Sequence, residues 1–291
     1  MADVLTGAND PRLRAAAESR AEAPPGQAAA ASAPADEPAV RRIGVSDLRD
    51  ALAEGWRDFL DAPTQLVFLA VIYPVVGLAM ATGAAGGHLM SVVWPLVAGF
   101  ALVGPLAALA IYEISRRRER GLPASLRAAL GGVARAPGLG SIVLLGLALL
   151  AVFAAWIAVA EVIYFATIGD ERYPPPASAT DLAGRVFGTG DGLTLLLLGN
   201  GVGFLFAALV LATTVVSFPL LLERDVGAAG AVRTSLRAVA ANPVPMALWG
   251  LAVAALLLLG SLPLFVGLAV VLPVLGHATW RLYRRVVVPA G

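Results

Sequence analysis

The sequence predicts an all-α membrane protein: a bundle of six transmembrane helices, with short cytoplasmic interfacial helices preceding spans 1, 3 and 5. Two observations carry this prediction. The chain of 291 residues is 58% hydrophobic and only 14% charged, whereas soluble domains are roughly a quarter charged. Its basic residues also cluster in alternate segments between apolar runs, which is the charge pattern of a multi-pass membrane protein.

Six stretches approach the roughly 20 apolar residues that are needed to cross the hydrocarbon core. In chain order they span about 66–85, 92–114, 141–168, 193–222, 245–262 and 264–280. Between the last two, Gly260, Ser261 and Pro263 fit either a tight hairpin or a kink within one helix. The 35 residues from Met246 to Trp280 are too many for one crossing even with tilt, so the hairpin is favoured.

Arginine predicts the orientation, because short loops rich in arginine stay in the cytoplasm. All 21 basic residues are arginine, and 19 of them precede the first span or follow the second, fourth or sixth. Only Arg172 and Arg185 lie in the loop after the third span, which is rich in carboxylates. The sequence therefore predicts a multi-pass membrane protein with both termini in the cytoplasm.

The first 40 residues form a polar segment rich in alanine and proline. They lack the apolar run and the cleavage site of a secretory signal, and they have too few apolar residues to build a core. We therefore expect two regions, a disordered cytoplasmic tail at 1–40 and a six-span membrane domain at 41–288.

Three segments share one pattern, in which a serine at an N-cap position begins a short amphipathic helix and a proline ends it before a span. They are 46–63, 125–137 and 235–243, and they shorten by about one turn from each to the next. The pattern predicts three helical hairpins, each preceded by an interfacial helix. Convergent use of a good membrane-entry signal explains it equally well.

The first of these helices has an apolar side and an acidic side. Its apolar residues at helical spacing are Leu48, Leu52, Trp56, Phe59 and Leu60. Its acidic residues are Asp47, Asp50, Glu54, Asp58 and Asp61. We expect the acidic side to face the arginine-rich segment 116–135 across the ends of the bundle, or else to be an ordinary solvated surface.

Three longer stretches resemble a known family. They are WPLVAGFALVGPLAALAIYEISRRRERG at 94–121, FPLLLERDVGAAGAVRTSLRAVAANP at 218–243 and LPVLGHATWRLYRR at 272–285. They resemble a bacterial family of predicted integral membrane proteins known as domain of unknown function 2189, and the resemblance extends over 41–288. It implies an inner-membrane protein and implies no activity.

Glu161 is the foremost intramembrane polar candidate, because an ionisable group at membrane depth is a functional hypothesis by default. It lies about 20 residues into the third span, near Trp156 and Tyr164. If Glu161 faced a buried route, it would titrate as proton-coupled carriers require. Tryptophan and tyrosine typically mark the interface, however, so the favoured interpretation is a hydrated carboxylate near the outer surface.

Three further polar residues lie in the predicted spans. Glu113 is expected to pair with Arg116 or Arg117 at helical spacing. His277 is one turn before Arg281, which suggests a helix end at the lipid headgroups. Asn200 is deeper in its span and is expected to hydrogen-bond to a neighbouring helix.

Gly199 and Gly203 flank Asn200 as a pair of small residues four positions apart. Such a pair predicts close helix packing. Prolines scattered through several spans occur both in transporters with broken helices and in purely structural membrane helices.

The sequence contains no recognisable chemistry. It has no cysteine and two histidines, and it lacks a phosphate-binding glycine loop, a nucleophile elbow and metal-ligand spacing. We therefore assign no catalytic, cofactor-binding or metal residue and no cofactor, and an enzyme is disfavoured. The net charge of +1 indicates no nucleic-acid partner.

The leading functional hypothesis is a non-enzymatic accessory, assembly or organising component of the inner membrane. Its partners would be the lipid bilayer and other inner-membrane proteins. The alternative is a small-solute or lipid transporter or permeation protein that uses Glu161 and Asn200.

Overall fold

A computed structural model describes residues 38–61, 77, 104–169, 179–262 and 267–289. The regular elements in these residues are α-helices, and one isolated antiparallel bridge pairs Val40 with Val287. The predicted span 66–85, most of the span 92–114 and nearly all of the predicted tail lie outside the described residues.

The described helices alternate between long apolar segments and short amphipathic ones. They are α1 (Val45–Asp61), α2 (Gly104–Ala107), α3 (Leu109–Glu119), α4 (Leu126–Val133), α5 (Leu139–Ala166), α6 (Ala179–Gly188), α7 (Gly190–Thr214), α8 (Ser217–Glu223), α9 (Gly227–Ala241), α10 (Pro243–Ser261) and α11 (Leu268–Val286).

Three segments of the described chain are long and apolar enough to cross a membrane. They are Leu139–Ala166, Gly190–Glu223 and Pro243–Ser261, and they coincide with the predicted spans at 141–168, 193–222 and 245–262. Their outer faces expose large apolar side chains, among them Leu144, Leu197, Phe204 and Leu251. Soluble monomers rarely expose apolar patches on this scale, whereas lipid-facing helices do.

The most deeply buried side chains gather where the ends of α8, α10 and α11 meet. Phe218, Trp249, Trp280 and Tyr283 are at most 1% exposed and belong to one hydrophobic cluster. The tightly packed part of the molecule is therefore at one end of the long helices.

Short helices do precede the predicted spans 1, 3 and 5, but only one has the expected cap. Ser125 caps α4 by accepting a hydrogen bond from the Ala128 amide at 3.2 Å. Ser46 lies inside α1, and the Asp47 carboxylate instead binds the Gly44 amide at 2.8 Å.

The predicted length of the third short helix was wrong. Ser235 is buried in the middle of α9, which begins eight residues earlier at Gly227 and spans 15 residues. The sequence signals for this earlier start are Asp225, whose carboxylate accepts a hydrogen bond from the Gly227 amide at 3.4 Å, and the alanines that follow, since alanine is the best helix former. The three helices therefore do not shorten in series.

The chain folds back between α10 and α11, as the favoured hairpin requires. A methyl group on Gly260 would lie 3.1 Å from Val271 Cγ2, and one on Gly267 would lie 2.8 Å from the Gly260 carbonyl oxygen. In one continuous helix, with a rise of about 1.5 Å per residue, Gly260 would lie about 10 Å from Gly267 and about 16 Å from Val271 along the helix axis.

Helix α11 packs tightly between α1 and α3. A methyl group on Gly55 of α1 would lie 2.6 Å from the Ala278 backbone nitrogen. On the other side of α11, a methyl group on Gly276 would lie 2.7 Å from Ile111 Cγ2 of α3. The glycines thus permit an approach that any side chain would prevent.

Gly203 packs closely, whereas Gly199 does not. A methyl group on Gly203 would lie 3.1 Å from the Trp156 indole, but at Gly199 none of the described atoms comes within 4 Å. Among the described residues, Gly203 therefore has a close neighbour and Gly199 has none, and the neighbour of Gly203 is a side chain of α5 rather than a backbone.

The substitution Gly55→Ala should destabilise the protein, because the new methyl group would overlap the α11 backbone. Overpacking of this kind costs about 1–3 kcal/mol. Thermal unfolding of the detergent-solubilised protein measures this cost.

Gly199→Ala is the matched control for this substitution. It should be neutral or stabilise by up to about 1 kcal/mol, because alanine favours helices over glycine. Equal unfolding temperatures for the two variants would contradict the close approach of α1 to α11.

Candidate functional site

Charged side chains from four helices and the residue after α3 meet at the packed end of the molecule. We call this set the ion-pair layer: Glu54, Asp58 and Asp61 of α1; Arg118, Glu119 and Arg120 at the end of α3; Glu223 of α8; and Arg281, Arg284 and Arg285 of α11.

The Asp58–Arg281 pair is the most enclosed in this layer. Arg281 Nε lies 2.8 Å from Asp58 Oδ2, and Arg281 Nη2 lies 3.0 Å from Asp58 Oδ1. Asp58 is only 6% exposed. The two parallel hydrogen bonds form the strong fork arrangement of guanidinium and carboxylate, and they raise the pKa of Arg281, so its charge is permanent.

The acidic side of α1 faces α11 more than it faces the predicted segment 116–135. Glu54 pairs with Arg285 at 2.6 Å. Among the arginines of the predicted segment, Arg118 is the one that forms a described ion pair with α1, where it binds Asp61 at 2.7 Å. The prediction that the acidic side faces segment 116–135 was therefore incomplete, because it left out α11. Helices α1 and α11 run antiparallel, so two carboxylates four residues apart on α1 lie opposite two arginines four residues apart on α11.

Glu223 and Glu119 connect α8 and α3 to α11. Glu223 accepts a hydrogen bond from the Tyr283 hydroxyl at 2.7 Å, and Glu119 accepts one from Trp280 Nε1 at 3.3 Å. Burial, and secondarily the charge of Glu223, raise the pKa of Tyr283, so its hydroxyl remains a donor. Arg284 contacts both carboxylates, at 3.2 Å from Glu119 and 3.4 Å from Glu223.

Glu113 makes the local pairs that its spacing predicts. Its carboxylate lies 2.9 Å from Arg116 Nε and 3.5 Å from Arg117 Nη1. Arg116 also donates to the Leu222 carbonyl, and Glu113 packs on Gly132, where a methyl group would overlap it. The pair therefore connects α3 to α4 and α8.

His277 is fully buried between helices, and its expected depth at the headgroups stays a prediction. Its Nδ1 lies 2.6 Å from Ser115 Oγ, and its Nε2 has no hydrogen-bond partner among the described residues. Because α1 and α3 cover α11 on both sides, the side chain is enclosed. The sequence of α11 by itself does not indicate that α1 and α3 pack on either side of His277.

Glu161 and Asn200 are both exposed. Glu161 is beside the exposed Val162 and Phe165 on α5, and within the described part of the chain it has no ion pair or hydrogen bond. Asn200 donates to the Leu196 carbonyl of its own helix at 2.7 Å. Among the described residues, this amide therefore bonds to its own helix one turn earlier, and the expected bond to a neighbouring helix stays a prediction.

Asn242 is a central residue that the sequence did not reveal. Its buried amide nitrogen donates to the carbonyls of Arg41 and Ala238, both at 3.0 Å, and its oxygen accepts from the Ile43 amide at 2.7 Å. The sequence signal that could have identified Asn242 is its position directly before Pro243, where one helix ends and the next begins. Together with the bridge at Val40, Asn242 fastens segment 38–43 to the packed end.

The family model described as predicted integral membrane protein (DUF2189) matches residues 93–223. Over these residues, the match confirms the family resemblance found in the sequence. No curated protein and no solved structure matches the chain. The protein is thus a helical integral membrane protein with apolar spans.

Proposed function

We propose that this protein is a non-enzymatic accessory, assembly or organising component of the bacterial inner membrane, built on six spans with both termini in the cytoplasm. The ion-pair layer carries this proposal. Its ion pairs join the segment before span 1 to the segments after spans 2, 4 and 6, at the cytoplasmic end of the bundle.

Contacts within the ion-pair layer support the proposal that the chain crosses the membrane an even number of times between any two segments of this layer. Side chains that touch lie on the same side of a membrane, so α1, the end of α3, Glu223 and the end of α11 share one side. Asn242 binds segment 38–43 at that side, and α10 begins directly after it. Since α10 crosses away, α11 has to cross back, although it is less apolar than the other spans.

Helix α1 also has an edge that suits the membrane surface. Val45, Trp56 and Leu60 are exposed beside the face that packs on the bundle. Tryptophan favours the headgroup region, and α1 ends only a few residues before the predicted first span. These features support an interfacial position for α1.

Reporter fusions test this topology. Fusions after Gly87 and near Ser178 should be active only as extracytoplasmic reporters, and fusions after Arg120, Arg237 and Arg285 only as cytoplasmic ones, because arginine-rich loops remain inside. A cytoplasmic signal at Ser178 would exclude the six-span arrangement.

The positions of Glu161 and Asn200 favour an organising role over transport. A solute pathway would need polar groups turned into the bundle, whereas both of these residues are exposed. Glu161 is also about 33 Å from the start of α5, at about 1.5 Å per residue. That distance exceeds the roughly 30 Å hydrocarbon thickness and supports an interfacial carboxylate.

Co-purification tests the organising role. Tagged protein, extracted from native membranes in polymer-bounded discs, should retain a specific membrane protein at a constant ratio. An unrelated six-span protein purified in the same way should not retain it. Recovery of bulk lipid alone would contradict an assembly role.

Glu161→Gln tests transport directly. This variant keeps the shape but cannot titrate, and we expect it to match the native protein in co-purification and in solute flux across proteoliposomes. A flux that the native protein supports and Glu161→Gln abolishes would replace our proposal with the transporter alternative.

A further inference from the structure

A cavity of about 210 Å³ opens beside the ion-pair layer. Its lining consists of Arg120, Glu223, Arg224, Arg284 and Pro289. This volume is well above the roughly 10–15 Å³ that a single water needs, so the cavity has room for a small polyatomic group. Three guanidinium groups and one carboxylate border it.

The cavity keeps an excess of positive charge. The carboxylate in its lining, Glu223, is shared between Arg120 and Arg284, each at 3.4 Å, and also accepts the Tyr283 hydroxyl. Glu119 lies outside the lining and pairs with Arg284 at 3.2 Å, so three arginines are balanced by two carboxylates. Distances of 3.4 Å are long for charge-assisted hydrogen bonds, which usually measure about 2.7–2.9 Å. Both arginines therefore keep donor capacity for another acceptor.

Arg224 has no carboxylate partner within the described residues. It donates from Nη2 to the Val288 carbonyl at 2.7 Å, which orients the guanidinium without neutralising it. Arg120 is half exposed, at 50% of its side chain. The lining thus combines an oriented cation with one that is accessible from outside.

We propose that this cavity binds a phosphate group, supplied either by an anionic lipid headgroup or by a free phosphate compound. Guanidinium presents its donors in a planar fork that matches phosphate oxygens, and several arginines around one cavity are the usual means of holding such a group.

The position of the arginines makes a lipid headgroup accessible. Arg120, Arg224 and Arg284 follow the second, fourth and sixth predicted spans, where basic pockets between helices bind anionic headgroups. The lipid source rests on the proposed topology, whereas binding of a free phosphate compound does not.

Two matched measurements test the site on the full-length protein. In nanodiscs of zwitterionic lipid containing a minor fraction of phosphatidylglycerol, native mass spectrometry counts the bound anionic lipids. In nanodiscs of zwitterionic lipid alone, calorimetry follows titration with inorganic phosphate or pyrophosphate. Retained phosphatidylglycerol identifies the lipid source, and saturable binding in the second measurement identifies the free one.

Arg120→Gln and Arg224→Gln should each weaken the observed binding about tenfold or more, since a hydrogen bond to a charged group is lost. Arg127→Gln is the control, because it removes an equal charge from an exposed residue of α4 outside the cavity lining. We expect that variant to bind within about twofold of the native protein.

Three results would overturn the proposal. They are absence of binding in both measurements, equal weakening by Arg127→Gln, and full binding by Arg120→Gln. Arg120 is half exposed, so its replacement tests the site even if Arg224→Gln disturbs folding. Reporter fusions test the topology separately, so failure of the phosphate site and failure of the six-span arrangement are distinguishable.

Discussion

Replacement of Asp58 by asparagine should destabilise the protein by up to about 3–5 kcal/mol, because Arg281 is then left largely enclosed with only the more distant Glu54 of α1, at 3.7 Å, to balance its charge. Asp58 is buried and receives two hydrogen bonds from Arg281. Arg281→Gln should cost a similar amount, because it leaves the buried Asp58 without its main partner. Unfolding of the detergent-solubilised protein in increasing denaturant measures both variants.

Asp61→Asn provides the matched control for the Asp58 variant. Asp61 also pairs with an arginine, at 2.7 Å from Arg118, but its side chain is 64% exposed. Exposed pairs contribute no more than about 1 kcal/mol. If Asp58→Asn cost no more than Asp61→Asn, the enclosed pair would not be what holds α1 on α11.

The double variant Asp58→Asn/Arg281→Gln separates loss of the pair from exposure of a buried charge. Neutral replacement of both partners should recover most of the stability that either single variant loses, since an ion pair and a neutral pair of similar shape differ little in net stability. A double variant as unstable as the sum of the single ones would contradict this account.

Replacement of Asn242 by alanine should cost about 2–4 kcal/mol, because it leaves the Ile43 amide and the Arg41 carbonyl without their partner, at about 1–3 kcal/mol for each such group that stays buried. Segment 38–43 should then separate from Val287, its partner in the isolated bridge. Hydrogen exchange at the Ile43 and Val288 amides should accelerate together with the fall in stability.

Asn200→Ala is the control for this change. Its amide binds one carbonyl of its own helix on an exposed surface, so the expected effect is within about 0.5 kcal/mol. Equal losses from the two asparagines would show that Asn242 does not fasten the N-terminal segment.

Local features of this protein followed from its sequence. The apolar spans near 141–168, 193–222 and 245–262 coincide with helices of the structure, because hydrophobicity and helix length are properties of neighbouring residues. The Glu113–Arg116 pair and the Ser125 cap agree with their predictions for the same reason. Each involves residues within one turn of helix.

The tertiary structure alone decided which surfaces of these helices meet. The Asp58–Arg281 pair joins residues 223 positions apart, and the burial of His277 depends on two helices that flank it. Gly199 and Gly203 have the same sequence pattern, yet among the described residues only Gly203 has a close neighbour. Hydrophobic periodicity defines the apolar side of a helix, but the partner of that side depends on distant residues and on the packing of the whole bundle.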